Sequence, residues 1–337
     1  MRATSLLALF IGLFACGFAG TVAGRQQPAK EEAKKPQALF AKFRELMNEG
    51  KFDLAATFLK LFLDSNPTEN DLLEIEKKYN TTIFLSLRSI PRWSDDAVLE
   101  KKTREYVEEL IKRSRAASEK LLKNPARVAK YIRNLGATYE EKIFAELELK
   151  RTGDYAIPFM VDELRQTREP GVLSGLLETI PVLEGTTMSG WVAALDGLTP
   201  DMQYGVVSAI ASREDVLNLE TFAQSDLSGF LWKVMAQPPE QSPALRALAE
   251  KLLRKLHPGI KADTQFAEEQ LTALARTFYD HTARYAGARN NGDGSPRTVP
   301  VWFWDAKSAK LLKNDEVPIG QAEEYFGLRY ARWVIEA

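Results

Sequence analysis

The chain has 337 residues, of which 45% are hydrophobic and 27% are charged. Its 45 Lys and Arg nearly balance its 46 Asp and Glu, and a net charge of -1 argues against a dedicated nucleic-acid binder, which usually carries a basic excess. The length suffices for about two or three packed units. Cys16 is the single cysteine, so these residues can form no internal disulfide.

Residues 1–24 have the pattern of an export signal. Arg2 gives a basic start, residues 6–15 (LLALFIGLFA) form an apolar run, and residues 22–24 (VAG) are small enough for cleavage. The apolar run is too short to span a bilayer comfortably, because a spanning helix needs about 20 apolar residues. We therefore expect an exported protein that works in the periplasm or the extracellular space.

Cys16 leaves a second interpretation of this segment open. Residues 13–16 (LFAC) resemble the lipobox of bacterial lipoproteins, in which the cysteine is lipidated and becomes the new N-terminus. Phe14 is awkward in that motif, so ordinary cleavage before Arg25 is the preferred prediction. Membrane attachment is expected only through the signal or such a lipid anchor. Residues 25–36 are polar and lack apolar periodicity, which predicts a flexible linker.

Helical periodicity begins in the region 37–125. Two apolar stripes, residues 39–47 and 52–63, are separated by a glycine turn, and a longer helix is predicted over 97–122. The second stripe and its flanks resemble the second half of a tetratricopeptide repeat, through Gly50, Phe52, Asp53, Ala55 and Pro67. In that family a small residue lets two helices approach, so the resemblance implies a helical hairpin at this point.

Shorter helices are predicted throughout the region 126–262. Thr138 and Glu141 form a capping box that begins one helix, and the following helix starts with Ala156-Ile157-Pro158. This pair resembles a HEAT repeat, whose second helix typically begins with a small residue, an aliphatic residue and proline. Helix pairs then recur about every 30–40 residues, which is typical of an α-solenoid. The further predicted helices are 172–182, 188–195, 200–211, 216–223, 227–235 and 244–256.

The region 263–337 combines helices with a change of period. A helix is predicted over 267–285, and apolar residues then alternate with period two, which predicts a β-hairpin at about 298–318. Pro300 places its strand at a sheet edge. A last helix over 322–335 has no stop signal before Ala337, so either the natural chain continues or this helix docks on a partner.

The sequence predicts no catalytic, metal-binding or cofactor-binding residue. Of its two histidines, His257 lies at a predicted helix end, where it favours the helix dipole. His281 follows Asp280 on a predicted helix, and adjacent helical residues point in different directions. Paired acids such as Asp95 and Asp96 open predicted helices, where their charge offsets the positive end of the dipole.

Trp302, Phe303 and Trp304 are the candidate contact residues for a partner or ligand. An exposed aromatic strand could bind a sugar or a peptide. The preferred interpretation is that the hairpin covers the end of the helical stack and buries these rings, because an edge strand must be covered or blunted.

The whole chain resembles the exported HEAT-repeat and tetratricopeptide-like α-solenoid proteins of planctomycete-like bacteria. The resemblance implies an all-α stack of helical hairpins with one small β-hairpin near the C-terminus. It also implies a non-enzymatic scaffold that binds another protein through its helical-repeat surface. Two alternatives stay open: the chain is the non-catalytic helical part of a cell-wall-acting enzyme, or it binds glycans through the strand 302–304. No nucleic-acid partner is expected.

Overall fold

The computed structural model describes residues 35–337 except 81, 215–225, 261–262, 284, 286–287 and 289–296. The signal segment with Cys16, the linker up to residue 34 and the helix predicted at 216–223 lie outside the described residues. The described chain is mostly α-helical and contains one two-stranded antiparallel sheet, near the C-terminus. The predicted fold class, all-α with one small hairpin, is confirmed.

The chain divides into two compact units, Met1–Ser118 and Glu119–Ala337. The described residues of the first unit contain four helices and most of a fifth. In chain order these are α1 (Pro36–Asn48), α2 (Phe52–Asp64), α3 (Glu69–Lys78), α4 (Ile83–Ser86) and α5 (Ala97–Leu122).

An aromatic cluster forms the core of the first unit. The Phe40 ring lies 5.4 Å from the rings of Phe43 and Phe62, and the Phe43 ring stacks on Trp93 at 6.2 Å. All four side chains are fully buried. α1 and α2 pack as the expected hairpin, and the turn between them places Gly50 at a φ of 72°, which a glycine adopts without steric cost.

The second unit contains ten helices and the hairpin among its described residues. The helices before the hairpin are α6 (Pro125–Asn134), α7 (Tyr139–Thr152), α8 (Ile157–Gln166), α9 (Pro170–Thr179), α10 (Met188–Ala194), α11 (Pro200–Ala211), α12 (Asp226–Ala236), α13 (Pro243–Leu256) and α14 (Thr264–Tyr279). The hairpin and the last helix are β1 (Thr298–Asp305), β2 (Lys310–Pro318) and α15 (Ile319–Glu336).

Alternate helices of the second unit stack in two rows. The helices α8, α10, α12 and α14 contact one another in succession, and so do α9, α11 and α13. Contacts between α8 and α9 and between α12 and α13 join the rows, and α15 packs along α14. One continuous apolar core runs through this unit from Val128 to Trp333. The helices of these two rows therefore bury apolar side chains against their neighbours, as stacked helical hairpins do.

The structure corrects the predicted helix over 267–285, because α14 ends at Tyr279. His281 has a φ of 55°, which an α-helix does not accommodate. The amides of His281 and Thr282 donate to the carbonyls of Phe278 and Thr277, which is the Schellman arrangement of a helix end. Glycine usually occupies this left-handed position, so a histidine there gave no stop signal in the sequence.

The hairpin follows the predicted boundaries, and the side chains of β1 alternate between two covered faces. Its strands pair in antiparallel register, with Trp302 opposite Lys313 and Trp304 opposite Leu311. The register shifts between Val299 and Val301, where β2 contains one residue more than β1. Val299 and Val301 pack with Ala322 on one face of β1, and Trp302 packs into the main core on the other, so consecutive residues of this strand are buried on opposite faces.

Among the residues that the structure describes, no helix combines the length and the apolar character that crossing a membrane requires.

Candidate docking surface

α7 is a helix with strongly defined ends. The predicted capping box is present at its start: the Thr138 hydroxyl accepts from the amide of Glu141, and the Glu141 carboxylate accepts from the amide of Thr138. Gly153 ends the helix at a φ of 61°. Acidic residues lie in the first turn and basic residues in the last, and both arrangements complement the helix dipole.

The side chains of α7 are apolar on two opposite faces. The inner face packs into the core through Ala145 and Leu149, which are fully buried. The outer face carries four large apolar side chains with high exposure, namely Tyr139 at 75%, Ile143 at 47%, Phe144 at 52% and Leu147 at 54%. We name these four residues the α7 stripe. Tyr139, Ile143 and Leu147 follow one another at intervals of four residues, and Phe144 precedes Leu147 by three, so the four are neighbours on one surface.

Contacts beneath the α7 stripe hold it in place. The Phe144 ring meets the Tyr131 ring of α6 edge-on at 5.8 Å. The buried Glu148 carboxylate is paired with Arg127 of α6, and it also accepts from Arg151 at 2.8 Å. The stripe is therefore presented by a helix that side-chain contacts already fix to its neighbour.

A charged contact links α7 to the next helix pair. Lys142 binds Glu178 of α9, and this hydrogen bond raises the pKa of the Lys142 ammonium while it lowers the pKa of the Glu178 carboxyl. Both residues lie near the surface, so the pair orients α7 more than it stabilises the fold.

Two other helices of the unit also carry exposed apolar side chains. Leu173 on α9 is 37% exposed, and Tyr204 on α11 is 43% exposed.

The structure places the predicted contact residues of β1 in two different environments. Trp302 is 5% exposed, and its ring lies over Gly190 of α10. Trp304 is half-buried over Gly197, with the Arg165 guanidinium 4.7 Å from its ring centre. The half-buried Phe303 instead meets the ring of Tyr325 edge-on at 6.2 Å. The three aromatic side chains do not form one open face.

Sequence reasoning missed a buried ionic cluster that ties α15 to the rest of the unit. The Arg329 guanidinium donates to Asp196 at 2.9 Å and to Asp226 at 3.1 Å. Asp226 also accepts from the Tyr330 hydroxyl at 2.8 Å, and Lys233 lies 3.3 Å from Asp196. Asp196 and Asp226 are 133 and 103 residues away from Arg329 in the sequence, so no local sequence motif predicts the cluster.

Burial and the charges of neighbouring groups both shift the pKa values of this ionic cluster. Burial raises the pKa of Asp226, although the charge of Arg329 opposes the shift. Burial would lower the pKa of Arg329, but the charges of Asp226 and Asp196 outweigh it and raise that pKa. Burial also raises the pKa of Tyr325 to about 12. Because Arg329 and Asp226 are buried, the contacts of this cluster hold α15 against the rest of the second unit.

The two histidines lie in separate places. His281 contacts the buried Glu323 carboxylate at 2.7 Å, and His257 contacts Ser228 at 3.1 Å. Within the described part of the chain, no three His, Cys, Asp or Glu side chains are grouped so that they could hold a metal ion.

No protein-family model matches this chain, and no curated protein or solved structure is significantly similar to it. A function is therefore argued from the surface itself, since a helical stack is compatible with many activities. The α7 stripe is the largest run of exposed apolar side chains on one helix among the described residues. Exposed apolar clusters of this kind mark interaction sites.

Proposed function

We propose that this chain is a non-enzymatic exported scaffold that binds another protein through its helical-repeat surface. The α7 stripe is the contact, and its exposure is the observation that carries the proposal. Export is supported by the signal pattern of residues 1–24.

The composition of the α7 stripe suits protein recognition. Tyr139 and Phe144 are aromatic anchors, and aromatic side chains are enriched at the energetic centres of protein interfaces. Ile143 and Leu147 add aliphatic surface between and beside them. Covering such side chains gains about 25 cal/mol for each Å² of apolar area removed from water.

The rigidity of α7 also supports binding. Its capping box, its contact with Tyr131 and the pairing of Glu148 fix the helix before a partner arrives. A surface that is already ordered loses little conformational entropy on association, so more of the contact energy becomes affinity.

The ionisable side chains support a scaffold more than an enzyme. Catalytic groups need access to a substrate, whereas Arg329 and Asp226 are buried and are hydrogen-bonded to each other. The Glu148 carboxylate likewise forms ion pairs with Arg127 and Arg151. These clusters are accounted for by the stability of the helical stack.

Photo-crosslinking tests the proposal. A benzophenone amino acid placed at Ile143 in the full chain is expected to crosslink to a protein in the producing cells. The matched control carries the same probe at Leu328, which is 64% exposed on α15 and lies outside the stripe. Adding Leu147→Glu to the Ile143 probe variant is expected to lower the crosslink yield at least tenfold.

The outcome that would overturn the proposal is equally specific. Probes at Tyr139, Ile143 and Leu147 that yield no protein adduct, in chains with an unchanged helical circular dichroism spectrum, would remove the stripe as a docking surface. An equal yield of the same adduct from Leu328 would do so as well.

A further inference from the structure

We infer that the partner of the α7 stripe is a second copy of this chain, bound so that the two α7 helices run antiparallel. This inference rests on the proposed docking role of the stripe and names its occupant. The distribution of charge around the stripe supports this arrangement.

The ends of α7 carry opposite charges on the same exposed surface. Glu140 lies beside the stripe in the first turn, and Lys150 and Arg151 lie beside it in the last turn. When two such helices lie antiparallel, the acidic end of each meets the basic end of the other. A partner helix with charge of one sign would meet like charge at one of the two ends, which is unfavourable.

The spacing of the exposed residues fits the same arrangement. Residues 140, 143, 147 and 150 follow one another at intervals of three, four and three, so they lie in one row along the exposed surface of α7. A two-fold axis level with Ala145 pairs Ile143 with Leu147 of the second copy. The same axis pairs Glu140 with Lys150 of the second copy.

The two-fold arrangement also gives the exposed tyrosine a partner. Tyr139 and Arg151 are equally far from Ala145 along the helix, so Tyr139 of one copy lies beside Arg151 of the other. A guanidinium over a tyrosine ring is an attractive contact. Because every contact occurs twice about the axis, one surface patch supplies both sides of the interface.

The self-association is expected to be weak. A single pair of short helices buries less surface than a standard stable interface of about 1,600 Å². We therefore expect a monomer–dimer equilibrium that shifts over the micromolar range.

Charge reversal tests the inference on the full chain. Sedimentation equilibrium is expected to show a concentration-dependent dimer, and Glu140→Lys or Lys150→Glu alone is expected to weaken it at least tenfold, since each change places like charges together twice. The double variant with both changes restores opposite charges and is expected to restore the dimer to within about threefold of the original. Glu324→Lys and Lys251→Glu, exposed changes on α15 and α13, are the matched controls and leave the dimer unchanged.

Three results would overturn the inference: a chain that stays monomeric at every concentration, a dimer that both single reversals leave intact, or a double variant that stays monomeric with an intact circular dichroism spectrum. The failure of this inference is distinguishable from failure of the proposed function. A monomeric chain whose Ile143 probe still crosslinks to a different protein would refute self-association and keep the docking role.

Discussion

Arg329→Ala is expected to destabilise the second unit by about 3–5 kcal/mol. The guanidinium serves two carboxylates, Asp196 and Asp226, and its own side chain is almost completely buried. Among the residues that the structure describes, the hydrogen-bond partner that remains to the enclosed Asp226 carboxylate is the uncharged Tyr330 hydroxyl. A buried charge that loses its counter-charge costs far more than a surface ion pair contributes.

Urea unfolding followed by circular dichroism measures the effect of Arg329→Ala. The matched control is Arg332→Ala on the same helix, where Arg332 is 64% exposed and 3.5 Å from Glu336, and its expected loss is below about 0.5 kcal/mol. Arg329→Lys should fall between the two, because an ammonium cannot present the planar fork of a guanidinium to both acids. Equal losses for the Arg329 and Arg332 alanine variants would show that the buried cluster contributes no stability.

Gly197→Ala is expected to cost about 1–3 kcal/mol or more by displacing the β-hairpin. A methyl group at this position would lie 2.0 Å from Cε2 of Trp304, and it would also lie 2.2 Å from Cδ2. The indole cannot yield easily, since Arg165 covers its ring. We expect the hairpin to shift outward and the tryptophan fluorescence to move to longer wavelength.

Gly320→Ala is the matched control for Gly197→Ala. Gly320 lies in the first turn of α15 with no atom within 4 Å of an added methyl group. The Gly320→Ala substitution should leave the free energy of unfolding unchanged or raise it by up to about 1 kcal/mol, because alanine is the better helix former. Adding Trp304→Leu to Gly197→Ala should recover part of the loss, since the two residues share one contact. Equal stability of the Gly197 and Gly320 variants would refute the packing of the hairpin on this glycine.

Local signals in the sequence predicted most of the helical boundaries. The predicted helices over 97–122 and 200–211 coincide with α5 and α11, because each combines a stripe of apolar residues with a clear start. The hairpin was likewise predicted from its change of period. The predicted end of α14 was wrong because the residue with a positive φ that follows the helix is His281 rather than a glycine.

The candidate surface could be predicted only in part. The apolar residues of α7 are visible in the sequence, but Leu149 is fully buried while Leu147 is 54% exposed. Apolar residues on both faces cancel the helical pattern that normally identifies the inner face. Tertiary packing, to which α6 contributes most, decides which leucine meets solvent. The cluster around Arg329 could not be predicted, since its members meet through tertiary contacts alone.

Cysteine labelling at the α7 stripe tests the central claim most directly. Leu147→Cys should react with a polar maleimide at least tenfold more slowly in intact producing cells than in the dilute purified chain, because a bound protein covers it in cells. Leu328→Cys on α15 should react at the same rate in cells and in dilute solution. Each rate is divided by the rate of the same variant after unfolding. Equal reactivity of Leu147→Cys in cells and in dilute solution would contradict a stripe that is covered by a partner.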